Sequence, residues 1–182
     1  FIKKQFSPLF REVEARFRNS SEDNCKAWEW ELPRAERTLS PSDFGFHNSI
    51  RRNDGRIAFV DFEYFGWDDP AKLIVDFTHH PAMKLSCALA SSFRERIISA
   101  TPDNRDLVFR VNALYPLLGL KWCLIMLNEF LPLALERRIV ARGIRDLENT
   151  LSNQLDKAKL KLAEVESAIS KGKDGYMEID HE

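Results

Sequence analysis

Ser40-Pro41-Ser42-Asp43-Phe44-Gly45-Phe46-His47-Asn48-Ser49-Ile50-Arg51-Arg52-Asn53-Asp54-Gly55-Arg56-Ile57-Ala58-Phe59-Val60-Asp61-Phe62-Glu63-Tyr64 is the stretch on which the reading of the chain turns. Ile50 and its neighbours lead into Asn53-Asp54-Gly55, where Asn and Gly accept positive φ, and Ile57, Phe59 and Val60 return as a β-rich strand. The spacing therefore predicts a hairpin. A turn that tight brings Asn48 back beside Asp61, and Asp43, just ahead of the first strand, then lies within reach of both. Two carboxylates and a carboxamide converge with no apolar reason to do so.

Such a set suits phosphoryl transfer. There an Asp accepts or orients the proton of the attacking hydroxyl, while an Asn and a second Asp hold the magnesium ions that bridge the nucleotide phosphates. Mg²⁺ is a hard ion that takes oxygen ligands. The order Asp, four residues, Asn, then a separate Asp is that of a kinase catalytic loop and metal-binding Asp. It gives Asp43 the catalytic role and makes Asn48 and Asp61 the metal ligands. The plainer alternative is an ordinary Asx-rich loop and hairpin. Glu63, two residues beyond Asp61, projects to the same face of a continuing strand. It either touches metal or substrate, or braces the loop.

From Ser42 to about Pro81 the chain resembles the aminoglycoside phosphotransferase and choline kinase family, small-molecule kinases with a protein-kinase-like fold. Ser42-Asp43-Phe44-Gly45-Phe46-His47-Asn48 is similar to that family's catalytic loop, and Val60-Asp61-Phe62-Glu63-Tyr64 to its metal-binding strand end. Asp69-Pro70 followed by Asp76-Phe77 resembles its next helix. The resemblance implies an ATP-dependent, Mg²⁺-requiring phosphotransferase acting on the hydroxyl of an aminoglycoside, amino alcohol or sugar. It also implies that Asp76 braces the loop around Asp43 through backbone amides. Two departures stand out: Pro41 lies where many members have a His, and no Gly follows Asp61. The other reading is a noncatalytic kinase-like binding or assembly module.

The family's N-terminal lobe carries a strand Lys and a loop over the phosphates. No Gly-rich phosphate loop occurs among the seven scattered glycines, and the sequence starts at Phe1, apparently within an element. The chain is thus expected to be a C-terminal lobe, with the N-terminal lobe of the same protein as its partner.

At 182 residues, 44% hydrophobic and 30% charged, the chain has ordinary globular composition and length for a real core, as one domain or two lobes. A net charge of −1 with no basic block places nucleic-acid binding low. Cys25, Cys87 and Cys123 are odd in number, widely spaced and without Cys-x-x-Cys pairs, which argues against a disulfide framework or zinc site and fits a reducing cytoplasm. No signal peptide is visible. The apolar run Leu117 to Leu133 is interrupted by Lys121, Asn128 and Glu129, and reads as a buried helix, not a membrane span.

The expected fold class is α+β, mostly α-helical, with one β-hairpin carrying the site. Residues 1–36 form a leading helix from Ser7-Pro8, ending near Asn19, and a loop with a short turn around Cys25 to Trp30, whose aromatics are read as packing. Residues 37–82 hold the catalytic loop, hairpin and metal segment. Within them, Phe65 to Pro70 is a turn with Asp69 as N-cap and Pro70 at N1 of a helix reaching His79. Asp68 is credited as a substrate-facing acid. Adjacent His79 and His80 point about 100° apart on a helix, which disfavours a shared metal. His47 is read as a loop brace.

Residues 83–134 are a helical core. One helix runs from Ser86 to about Ser99, with Leu89, Phe93 and Ile97 on a stripe, and a long apolar segment runs from Asn104 to Phe130, kinked or divided at Pro116 and Gly119. Glu129 is read as a peripheral salt bridge or as a contact for a substrate amine. Residues 135–170 form one long terminal helix with a seam of Leu151, Leu155, Ala158, Leu162, Val165 and Ile169. The seam docks on its own lobe, with a homodimer through it as the alternative. Residues 171–182 form a flexible tail.

Overall fold

The computed structural model describes residues 1–19, 31–101, 104, 106–142 and 146–171. The turn assigned to residues 25–30 and the tail beyond 171 lie outside the described residues. The described chain is mostly helical, with two small antiparallel sheets, which is the α+β class expected.

A π-helical turn, Ile2–Phe6, leads into α1, Ser7–Asn19. After Arg34–Glu36, a 3₁₀ turn, comes β1, Thr38–Ser40. The hairpin follows as β2, Ser49–Arg51, and β3, Ile57–Phe59, with Ser49 opposite Phe59 and Arg51 opposite Ile57. Its turn closes through the Arg52 amide to the Arg56 carbonyl at 2.8 Å. Gly55 alone takes the left-handed φ, 82°, that the turn requires, and Asn53 does not share it.

Residues 66–68 correct the sequence reading. They form β4, Gly66–Asp68, which pairs with β1 in the register Thr38 with Asp68 and Ser40 with Gly66. A second two-stranded sheet therefore stands beside the hairpin, and three residues a side is too short for a pattern of alternation to announce it. Asp69 then caps α2, Pro70–His79, as expected: its Oδ1 accepts from the Ala71 amide at 2.8 Å and Pro70 occupies N1.

The rest is helical: α3, Cys87–Ala100; α4, Leu107–Met126, continued by a 3₁₀ turn, Leu127–Phe130; α5, Pro132–Arg142; and α6, Leu147–Lys171. Pro116 does not divide α4. Packing on both sides outweighs the roughly 3 kcal/mol that an interior proline costs a helix. The span expected as one helix over 135–170 is instead α5 and α6. Leu89 lies exposed, off the buried stripe of α3.

Two apolar clusters share α4. In one, Leu120 and Cys123 of α4 meet Phe6, Leu9 and Val13 from the first helical stretch and Leu162, Val165 and Ile169 of α6. In the other, Leu107 and Val111 meet Ala71, Ile74 and Val75 of α2, with Phe93 and Ile97 of α3 against them. The lower part of the α6 seam is thus spent inside the chain, as the docking reading held. By length and composition alone Leu107–Phe130 is long and apolar enough to cross a membrane, and 22% of its apolar window is buried inside the chain. Phe109, Leu124 and Ile125 face outward, so α4 is a shared wall and not a helix enclosed on all sides.

Candidate active site

The loop from 41 to 48 is held at three levels. Its backbone turns sharply after β1, with the Asp43 amide donating to the Pro41 carbonyl at 2.7 Å and Ser42 held at φ 60°. Its apolar anchor is Phe44, stacked against Phe59 of β3 (4.7 Å), Phe77 of α2 (5.5 Å) and Phe93 of α3 (6.3 Å). Gly45 permits close approach, because a Cβ there would lie 2.6 Å from Met83 Sδ and 2.7 Å from the His47 ring.

The polar level follows from these. Asn48 Nδ2 donates to the Asp43 carbonyl at 3.0 Å and to its Oδ2 at 3.3 Å, so the carboxamide oxygen is left as the atom available to a cation. The Val60 amide donates to the Asn48 carbonyl at 2.9 Å, extending the hairpin ladder by one step, to the residue before Asp61. Asp61 has φ 65°. Among the described non-glycine residues, left-handed φ occurs at Ser42, Asp61 and Lys84, so two of the three instances touch this corner. Backbone strain of this kind gathers where a side chain must be aimed. The Tyr64 phenol is pushed up from its ordinary value first by Glu63, then by slight burial, Asp61 and Asp43. The three carboxylates therefore act on one phenol.

Four assignments change. Residues 61–65 form a turn closed by the Phe65 amide on the Phe62 carbonyl (3.0 Å), so strand alternation does not set the direction of Glu63, whose partner is Tyr64. The Asp68 carboxylate is taken up by Lys72 Nζ at 2.6 Å and the Asp69 amide at 2.9 Å, which leaves it a tie between β4 and α2 instead of a substrate acid. Asp76, buried at 7% exposure, bonds Lys121 Nζ and Trp122 Nε1 (3.1 Å) of α4, with Lys72 at 3.4 Å, and not the amides around Asp43. A buried carboxylate takes the strongest donors in reach, here two ammonium groups and an indole. Glu129 is likewise buried and bonded by Gln154 of α6, so it is neither peripheral nor open to an amine.

Two histidines complete the corner. His47 Nε2 lies 3.1 Å from Asp43 Oδ1, and His80, the residue after α2, places its Nε2 3.6 Å from the same oxygen. The two rings stack at 3.9 Å and 3°. By distance alone Asp43, His47 and His80 could hold a metal, since their donor atoms lie within 4.8 Å of one another. Orientation argues against a shared ion: lone pairs of parallel imidazoles do not converge on one point. His80 Nδ1 also accepts from the Ala82 amide at 3.2 Å, which puts the ring proton on Nε2. The cluster is a hydrogen-bonded acid beneath two stacked rings. His79, one residue earlier, points the other way and is buried at 1% exposure, as the helical angle between neighbours requires. The separation of His47 from Asp43 by four residues was a local signal for half of this arrangement; the contact of His80 with Asp43 spans 37 residues and left none.

Clefts of about 480 and 470 Å³ open around Phe1, lined by residues of the first helical stretch, α4 and α6 and by none of the residues above. No protein-family model, curated protein or solved structure matches the chain.

Proposed function

We propose that this chain is the catalytic lobe of an ATP-dependent phosphotransferase acting on the hydroxyl of a small molecule of the aminoglycoside, amino alcohol or sugar type. The observation that carries the reading is the Asp43–Asn48 pair, with the hairpin ladder extended to Val60, the residue before Asp61. Asp43, half exposed, orients the acceptor hydroxyl and takes its proton. Asn48 and Asp61 offer an amide oxygen and a carboxylate, the hard donors that Mg²⁺ prefers. Bound there, Mg²⁺ would neutralise charge on the nucleotide phosphates. The nucleotide itself needs a phosphate-covering lobe, which the resemblance assigns to another part of the protein; the work is done in the cytoplasm.

The test is ADP release from Mg²⁺-ATP across a panel of aminoglycosides, amino alcohols and sugars, using the whole protein that carries this chain. Asp43→Asn should lower kcat by about 10²–10⁴-fold, the range of a general base. Asp61→Asn keeps a residue type that tolerates positive φ while removing the charge, and should raise the Mg²⁺ concentration needed for half-maximal rate. Full activity in Asp43→Asn would remove Asp43 from the chemistry. Absence of turnover with every acceptor, in a folded protein, would favour the binding or assembly module.

A further inference from the structure

We propose that His80, the residue that follows α2, is a positioning residue for Asp43. This rests on the phosphotransfer reading for its consequence, though not for its geometry.

Asp43 is held on one side by Asn48, which follows it in the same loop. On the other side His47 reaches its Oδ1, but His47 is itself a loop residue and needs a support. His80 supplies one. Its ring lies flat against His47, 3.9 Å between centroids, and its other face meets the Trp122 ring edge-on at 4.6 Å. Trp122 in turn is fixed by its Nε1 donating to Asp76, which Lys121 also holds. A continuous set of contacts thus runs from the α2–α4 wall through Trp122, His80 and His47 to the Asp43 carboxylate. The Ala82 amide sets the His80 tautomer, so that Nε2–H faces Asp43.

Burial first, and then His47, lower the His80 pKa below its ordinary value, while Asp43 and Asp76 raise it and Lys121 lowers it.

The test pairs two variants with two readouts. His80→Ala removes the support, and His80→Phe keeps a flat ring between His47 and Trp122. In phosphotransfer, His80→Ala should lower kcat by about 10–100-fold with KM nearly unchanged, as expected of a misplaced catalytic group. His80→Phe, which keeps the flat ring, should recover most of that loss. His80→Ala with wild-type kcat, or His80→Phe no more active than His80→Ala, overturns the proposal. The second readout needs no activity: in this chain, His80→Ala should shift and broaden the side-chain NMR resonances of His47 and Asn48, and His80→Phe should restore them. Unchanged resonances in His80→Ala also overturn it. Shifted resonances in a protein that turns over no acceptor would support the geometry and count against the phosphotransfer reading alone.

Discussion

His79 illustrates how one side chain ties stability to pH. Its Nε2–H donates to the Tyr115 carbonyl of α4 at 2.9 Å, and Lys161 and Glu164 of α6 lie on the side of its other nitrogen. Burial above all, then the Lys161 charge, hold its pKa down at about 4 against an ordinary 6.5. The folded state therefore refuses a proton that the unfolded chain accepts, and stability falls as pH drops through 6.5 towards 4. Two to three units at 1.36 kcal/mol each put the loss at about 3 kcal/mol. Urea unfolding of wild type at pH 7 and pH 4.5 should reveal this, and His79→Gln, which keeps a donor to Tyr115, should lose most of the difference. Equal pH dependence in both proteins would show that His79 is not its source. Along the chain only the angle between helical neighbours distinguishes His79 from His80. Which of them faced inward depended on α4 and α6, which are distant in the chain.

At the scale of the element, the crossing of α4 and α6 depends on one residue without a side chain. A Cβ on Gly119 would lie 2.4 Å from Val165 Cγ2 and 3.1 Å from His79 Cε1, and Val165 is fully buried. Gly119→Ala would gain roughly 1 kcal/mol of helix propensity. Overpacking against a branched, enclosed neighbour costs about 1–3 kcal/mol, and here the displaced helix carries the His79 contact with it. The net expectation is destabilisation of about 1 kcal/mol by chemical denaturation, with much of it recovered in the double variant Gly119→Ala, Val165→Ala. Additive losses in the double variant would place the conflict elsewhere. Read from sequence, Gly119 is, with Pro116, a kink or division point of the long apolar segment. Its use is instead to let another helix come close, a distinction that needs the partner helix to be known. The hairpin, the cap at Asp69 and the bounds of α2 were all legible, because each is encoded within a few residues.

For the whole molecule, α4 belongs to both apolar clusters, so neither can dissolve without exposing part of the other. A single cooperative transition is expected, with far-ultraviolet and near-ultraviolet circular dichroism tracing the same curve. Two separated transitions would mean that α1 and α6 melt independently of the site-bearing half. The seam of α6 was readable as a periodic stripe; its destination, α1 and α4, was not. The same division holds for the site, where the Asp43–Asn48 contact lies within one loop, whereas Lys121, Trp122 and His80 meet only through folding. The packing of Phe44 among Phe59, Phe77 and Phe93 has a practical consequence. Aromatic rings held face to face displace one another's proton resonances through their circulating π electrons, so those of Phe77 and Phe93, 3.9 Å apart, form a built-in gauge. An unlabelled proton spectrum would register whether the loop is seated.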